Sequence, residues 1–354
     1  MTESRIGMVQ TVLGLIRPDE LGITQTHEHL MIDTSALRKE PKEDGVKHIF
    51  LSPMTPEVSG YVRHYGVPNL DNSQLGDIDL VVKELSAYKQ HGGKTVVDAT
   101  SNGIGRDAVG LARISHETGL NIVMGGSYYD GRTHPADMDD KTEDQIVKEI
   151  VGDITVGVGD TGIRAGTIGE VGCTWPLTDN ERKVVRASGC AQTMTGAPVL
   201  IHPGRNEAAP MEILGILSDA GVDFSRVIMS HIDRTIDDRA RLTEIAETGC
   251  YLEWDLFGTE VSYYPNNPLF DMPNDAKRMD DIAWAVSKGY GDRIVISQDI
   301  FLKKQLLSYG GYGYGYILAH IVPRMRSRGY TSEVIKKILV DNPARVLTFV
   351  EPTA

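Results

Sequence analysis

The sequence predicts an α/β fold, a (β/α)8 TIM barrel with a small N-terminal hairpin and a long insertion after the first strand. Three observations carry this expectation. Short, apolar, β-branched stretches alternate with helix-like stretches, as when strands are buried on both faces. Eight such stretches fit into 354 residues, a length one barrel can use. Side chains able to do chemistry stand where those stretches end, and barrel enzymes keep their active sites at strand C-termini. A doubly wound sheet is the alternative, but no glycine-rich dinucleotide loop or phosphate loop supports it.

The elements follow in order. Residues 7–14 alternate in character and, with the turn at 18–22, predict a small hairpin. Residues 24–30 form the first strand, which runs into His27 and His29. Residues two apart on a strand share a face, so both imidazoles can aim at one point while Glu28 turns away. The region 31–77 holds four prolines and no sustained period. A connection of that length is uncommon unless functional, so it is read as an insertion over one end of the fold.

From residue 78 the pattern is regular. Helices are expected at 78–91, 106–118, around 143–151, and at 180–195, 210–220, 238–248 and 280–288, several stopped by glycine. Strands are expected at 94–99, 121–125, 166–171, 198–201, 226–230, 251–255 and 293–297. The tyrosine-rich run 310–316 reads as a loop and the start of a helix, and 332–340 as a closing helix. No linker or low-complexity segment divides the chain, so 1–354 is expected to be a single domain.

Composition bounds the function. A net charge of −13 argues against nucleic acid as a main partner, because such proteins present a basic face. No stretch of about 18 apolar residues predicts a membrane span, and the first ten residues lack the apolar core of a secretory signal. The three cysteines, Cys173, Cys190 and Cys250, are odd in number and far apart, which points away from disulfides and towards a cytoplasmic setting. Cys173 reads as a small buried filler. A small-molecule substrate is expected; a homodimer is left open.

Aligning the strand ends gives His27 and His29 on the first, Glu170 on the fourth, His202 on the fifth, His231 on the sixth and Asp299 on the eighth. A lone histidine there is more often a hydrogen-bonded structural residue. Together, four histidines and two carboxylates on one rim are a ligand set for two divalent metals. Glu170 has two oxygens with which to bridge them. Metals roughly 3.5–4 Å apart can share a hydroxide, and Asp299 suits a second role as the base that moves its proton. His48, His64, His91, His116, His134 and His320 are read as structural, His91 at a helix C-terminus.

Arg205 and Arg234 follow His202 and His231 by three residues each and could bind an anionic group on the substrate, or brace their loops. Tyr128, past the third strand, could polarise a carbonyl or line the pocket. Trp175 and Trp254 could form aromatic walls or pack between barrel and helices. The insertion, residues 257–275 and the run 310–316 would cover the metals.

The chain resembles the phosphotriesterase-related proteins of the amidohydrolase superfamily. The resemblance rests on Val9-Gln10-Thr11-Val12-Leu13-Gly14, Thr26-His27-Glu28-His29, Ile168-Gly169-Glu170-Val171-Gly172, Ile201-His202-Pro203-Gly204-Arg205, Ser230-His231-Ile232-Asp233-Arg234 and Asp299. Stretches 173–183, 251–260 and 342–349 look like the branch named for the animal protein, so it spans nearly the whole chain. It implies a (β/α)8 barrel and a binuclear centre, usually zinc, with Mn2+, Co2+ or Fe2+ as other occupants. It places the ligand roles on His27, His29, Glu170, His202, His231 and Asp299. The founding phosphotriesterases bridge their metals with a carboxylated lysine; here Glu170 stands in its place, as in other branches.

The expected function is metal-dependent hydrolysis of a carbonyl substrate by a bridging hydroxide. The resemblance implies an N-acyl amide such as N-acetyltaurine, a lactone or an ester, and Arg205 and Arg234 suit an anionic one. Phosphotriester or phosphodiester hydrolysis is a second reading, because the same hydroxide can attack phosphorus. A non-catalytic ligand-binding barrel is a third, and the intact ligand set speaks against it.

Overall fold

The structure is a computed structural model that describes residues 4–64, 66–261, 264, 266–267 and 270–354. Strands β1 (Val9–Thr11) and β2 (Gly14–Ile16) pair antiparallel as the expected hairpin. Its turn is at Val12 and Leu13, earlier than expected, and residues 18–20 form a separate 3-10 turn. The first barrel strand is β3 (Ile23–Glu28). Short strands β4 (Ile32–Asp33) and β5 (Gln74–Leu75) then pair antiparallel and tie together the two ends of the insertion. The insertion contains two helices, Asp44–Leu51 and Pro56–His64. Ile49, Met54, Val58 and Val62 give it a small core of its own, with Tyr309 packed against it. Eight or nine residues per helix are too few to display a period, which is why the sequence showed none.

The barrel continues with β6 (Gly93–Asp98), β7 (Asn121–Met124), β8 (Ile168–Gly172), β9 (Val199–His202), β10 (Val227–Met229), β11 (Tyr251–Trp254) and β12 (Ile294–Ile296). Neighbours pair parallel in the orders β3-β6-β7 and β8-β9-β10-β11-β12. Two seams close the ring. The Gly166 amide donates to Met124 O (2.9 Å), and Gly169 N to Gly126 O (2.9 Å). Across the other seam Asp299 N donates to His27 O and His29 N to Ile300 O, both at 3.1 Å.

Strand alternation sorts the core into two layers. Val97, Val123, Leu200, Ile228, Tyr251 and Val295 point into the barrel, where Val9 and Leu21 join them. Their neighbours Val96, Ile122, Ile201, Met229, Leu252 and Ile296 point out against the helices. Both faces are therefore apolar, which is what made each strand a continuous hydrophobic run. Trp254 is 1 % exposed and belongs to the outer layer, and Cys173 is buried there too.

The helices between strands lie close to expectation; Gly119, for example, caps Ala108–Thr118 at φ 67°, a left-handed conformation that favours glycine. The last part departs more. After the run 310–316 the chain makes a wide π-type turn, Ile317–Ile321, that continues into the helix Val322–Ser327. The closing helix Ser332–Lys336 also passes through such a turn, Lys337–Asp341, into Asn342–Leu347. Pro323 and Pro343 follow the wide turns, where the regular ladder is already interrupted and a missing N–H costs little. No helix among the described residues is long and apolar enough to cross a membrane.

Candidate metal centre

The inward positions of the strands continue past the apolar layer into polar ones at the C-terminal rim. His27, His29, Glu170, His202, His231 and Asp299 all end there and are all buried, Asp299 being the most open at 9 %. The pairing of β3 with β6 slips between Gln25 and Glu28, so the strand does not simply alternate at its end. Thr26 and His27 consequently both reach Glu253. Two of these six residues sit on backbone kinked into the left-handed region, His231 at φ 55° and Asp299 at φ 50°. Non-glycine residues pay on the order of 1 kcal/mol or more for this, and such strain collects at functional sites.

Glu170 is the hub. Its Oε1 lies 3.4 Å from His29 Nε2; its Oε2 lies 2.6 Å from His202 Nδ1 and 3.5 Å from both His27 Nε2 and His231 Nε2. Asp299 Oδ1 lies 3.3 Å from His29 Nε2 and 3.8 Å from His27 Nε2. The donor atoms of His27, His29 and Asp299, and those of His27, Glu170 and His231, fall within 4.8 Å of one another. His27 Nε2 is buried and has no hydrogen-bond partner. A buried imidazole nitrogen left orphaned between two carboxylates is costly, and a cation is what would satisfy it. The set fits divalent metal: one ion could be held by His27, His29, Asp299 and Glu170, another by Glu170, His202 and His231.

The electrostatics agree. Burial opposes the charge on Asp299, yet His29 and His27 outweigh it and bring its pKa down to about 2. Burial, together with Arg234, lowers His231 to about 4, and burial lowers His202 to about 3, so both imidazoles are neutral. His29 moves the other way. Burial resists its protonation, but Asp299 and Glu170 raise it to about 9. The carboxylates thus call for positive charge at the position where an ion would sit.

The sequence reading missed the groups that aim the imidazoles. His27 Nδ1 lies 3.2 Å from Glu253 Oε2 and 3.3 Å from Asp255 Oδ2. His231 Nδ1 lies 2.8 Å from Asp255 Oδ1, and His29 Nδ1 2.9 Å from Thr100 Oγ1. Donating Nδ1–H backwards turns the Nε2 lone pairs to the centre. Two acids flanking Trp254 on an otherwise apolar strand were the available signal. Glu28, between the two histidines, is fully buried and accepts from Ser297 Oγ, Gln298 N and Ile300 N. It braces the eighth strand end.

The other predicted residues divide. Tyr128 does not turn to the cluster: its hydroxyl bonds Glu149 and Lys141 on the outer side. Tyr129 takes that place, with its hydroxyl 3.4 Å from His202 Nε2. Residues 125–129 lie beyond β7 and include Ser127 at φ 65°, so strand alternation could not be carried across them. Arg234 is 3 % exposed and its Nη2 lies 3.1 Å from His202 Nε2. Arg205 donates Nε to Tyr264 OH at 2.6 Å. Trp175 is half-buried beside Gly204, where an added Cβ would meet its own Cβ at 2.8 Å. No bond joins Trp175 to the cluster among the described residues.

The cover is built from the expected segments. Arg63 of the insertion donates to the carbonyls of Lys304 (2.5 Å) and Tyr309 (3.1 Å). Tyr314 of the tyrosine-rich run donates to His29 O at 2.8 Å. Of the segment 257–275, residues 262, 263, 265, 268 and 269 lie outside the described residues.

A sequence model of the phosphotriesterase family matches residues 7–347. The chain belongs to the phosphotriesterase family. Within that family it is 44% identical over 371 residues to an N-acetyltaurine hydrolase of Dictyostelium discoideum, covering 99% of this chain and 100% of the relative. It is 44% identical over 346 residues to a phosphotriesterase-related protein of Nematostella vectensis, covering 97% and 99%. Among solved structures, a resiniferatoxin-binding protein from Rhodobacter sphaeroides superposes with a TM-score of 0.92 at 33% identity, covering 96% of this chain and 95% of that one. The phosphotriesterase-family barrel is thereby shown, and the chain is a metal-dependent hydrolase.

Proposed function

We propose that residues 1–354 act as one catalytic unit that hydrolyses the amide of a short N-acyl amine with an anionic tail, N-acetyltaurine foremost. Two divalent ions, zinc by preference for this imidazole and carboxylate set, would be held by His27, His29, Glu170, His202, His231 and Asp299. Bound there, they would bring the pKa of a water towards neutrality and withdraw electrons from the scissile carbonyl.

The remaining work falls to the chain. Asp299, ionised at any physiological pH, takes the proton of the attacking water and delivers it to the leaving nitrogen. Glu253 and Asp255 keep the imidazoles of His27 and His231 oriented. Arg205 and Arg234 bind the anionic tail, and Tyr129 borders the carbonyl. Trp175 would wall the pocket next to Arg205. The free cysteines fit a reducing, cytoplasmic setting.

The observation that carries the reading is Arg234. It is a buried guanidinium bonded to His202 and Pro203 O, without a carboxylate partner among the described residues. It therefore sets an anion receptor beside the hydrolytic centre, and an N-acetyltaurine hydrolase is one full-length relative at 44% identity. The test is a hydrolysis panel on metal-loaded protein with N-acetyltaurine, other N-acyl amino acids, lactones and a phosphotriester. The expected result is kcat/KM of about 10⁴ M⁻¹s⁻¹ or more on a sulfonate- or carboxylate-tailed amide. A higher value on the phosphotriester or a neutral lactone would overturn the proposal.

A further inference from the structure

Two more cations stand in the insertion and in the segment after β12, segments that bond to each other. Arg38 belongs to the insertion, directly after the turn Ser35–Leu37. It is half-buried, and among the described residues its side chain bonds only neutral groups: Nε to Ser73 Oγ (2.8 Å) and Nη2 to Thr34 Oγ1 (3.3 Å). Lys304 lies in the turn Lys303–Gln305 after β12, pinned to the insertion by a backbone bond to Asn72 Oδ1 (2.9 Å). Among the described residues, neither Arg38, Lys304, Arg205 nor Arg234 has a carboxylate within 4.0 Å.

Acids are not scarce in this chain, which has 49 of them against 36 basic residues. Several nearby cations are paired, although Arg63, among the described residues, bonds only Ser59 Oγ and the carbonyls of Lys304 and Tyr309. Arg278 bonds Asp233 and Asp275 at 2.8 Å each, Arg132 bonds Asp130 at 2.5 Å, and Lys303 bonds Asp71 at 2.6 Å. Arg38 and Lys304 are held side by side, bonded to the adjacent residues Ser73 and Asn72. Burial and then the charges of Arg132 and Arg205 oppose the charge on Arg38; burial, Arg63 and Arg38 bring Lys304 down to about 8. Arg234 in turn feels Arg205. The charges act on one another in sequence, Lys304 on Arg38, Arg38 on Arg205 and Arg205 on Arg234, and Arg234 bonds His202. Burying like charges together without a counter-ion is unfavourable, and an oxyanion would relieve it.

We infer that Arg38 and Lys304 complete, with Arg205 and Arg234, a four-cation pocket for the oxyanion tail of the substrate, a sulfonate or carboxylate. The inference rests on the proposed function for its substrate, and it extends the pocket to two covering segments. The insertion and the segment after β12 then select the substrate as well as shield it. Because Arg234 touches His202, tail and scissile bond are close, which restricts the substrate to short spacers.

The test uses metal-loaded Arg38→Gln and Lys304→Met. Steady-state kinetics compare N-acetyltaurine with the analogue whose sulfonate is replaced by a neutral methyl sulfone. Each substitution is expected to lower the ratio of kcat/KM, sulfonate over sulfone, about tenfold or more, the loss of one charge-assisted bond. An equal fall on both substrates, or none, overturns the inference. Calorimetric titration with propanesulfonate reads the pocket even if no amide is cleaved: binding about tenfold weaker in each variant is expected, and equal binding overturns it. Inorganic sulfate is the control for a free anion. If it binds the wild type without competing with N-acetyltaurine, the pocket is not for the substrate tail. Thermal melts verify that each variant is folded; if one is not, Lys304→Gln and Arg38→Met replace them in the same assays.

Discussion

The Glu28 carboxylate accepts hydrogen bonds from the amides of Gln298 (2.8 Å) and Ile300 (2.9 Å), the residues on either side of Asp299. The middle residue of the His-Glu-His stretch thus holds the eighth strand end, while its neighbours face the centre. Asp299 needs this support because its backbone sits at φ 50°. Glu28→Gln sets a side-chain NH2 against one of those amides. The expected outcome is a loss of about 2 kcal/mol or more in stability and a fall in kcat larger than any change in KM. Unfolding curves and steady-state kinetics check it; wild-type values in both would remove Glu28 as a brace.

Asp299 is assigned both a metal and a proton. Asp299→Asn leaves five donor residues, so metal content should be retained. Without a base, kcat should fall by about 10²–10⁴. Elemental analysis of the purified variant alongside its kinetics separates the two roles, and full activity would exclude the proton-transfer role.

Tyr129, not Tyr128, points at the centre. Tyr129→Phe should lower kcat severalfold to tenfold with metal content intact, the scale of one lost hydrogen bond of about 1 kcal/mol. Tyr128→Phe removes only a contact with Glu149 and Lys141 and should change kcat less than twofold. The reverse order of effects would contradict the geometry.

Lys304 gives a pH dependence. Its pKa is lowered from the usual 10.5 to about 8 by burial and by Arg63 and Arg38. The folded chain therefore binds fewer protons than the unfolded chain between pH 8 and 10.5, so the cost of charged Lys304 is full below pH 8 and is relieved as pH rises. Lys304→Met should melt above wild type at pH 7, and the gap should narrow towards pH 10. A gap independent of pH would mean that Lys304 is not buried among cations.

What the sequence disclosed was what strands alone determine. His202 ends β9 directly, and His231 and Asp299 follow short apolar strands, so counting to the strand end was enough. Contacts made across the barrel were not legible. Glu253 and Asp255 look like a polar strand end until their distances to His27 and His231 are known. Tyr128 and Tyr129 both stand past the end of β7, where strand alternation does not say which of the two faces the centre. Arg38 and Lys304 lie 266 positions apart, in segments without periodicity, and only the folded cover brings them together.

A binuclear centre that hydrolyses an amide must lose its activity with its metal. Its most direct test is to strip the protein of metal and follow N-acetyltaurine hydrolysis as Zn2+ is returned in measured equivalents. No turnover is expected without metal, and full turnover at two equivalents per chain. Turnover that survives chelation, or that saturates at one equivalent, would contradict it.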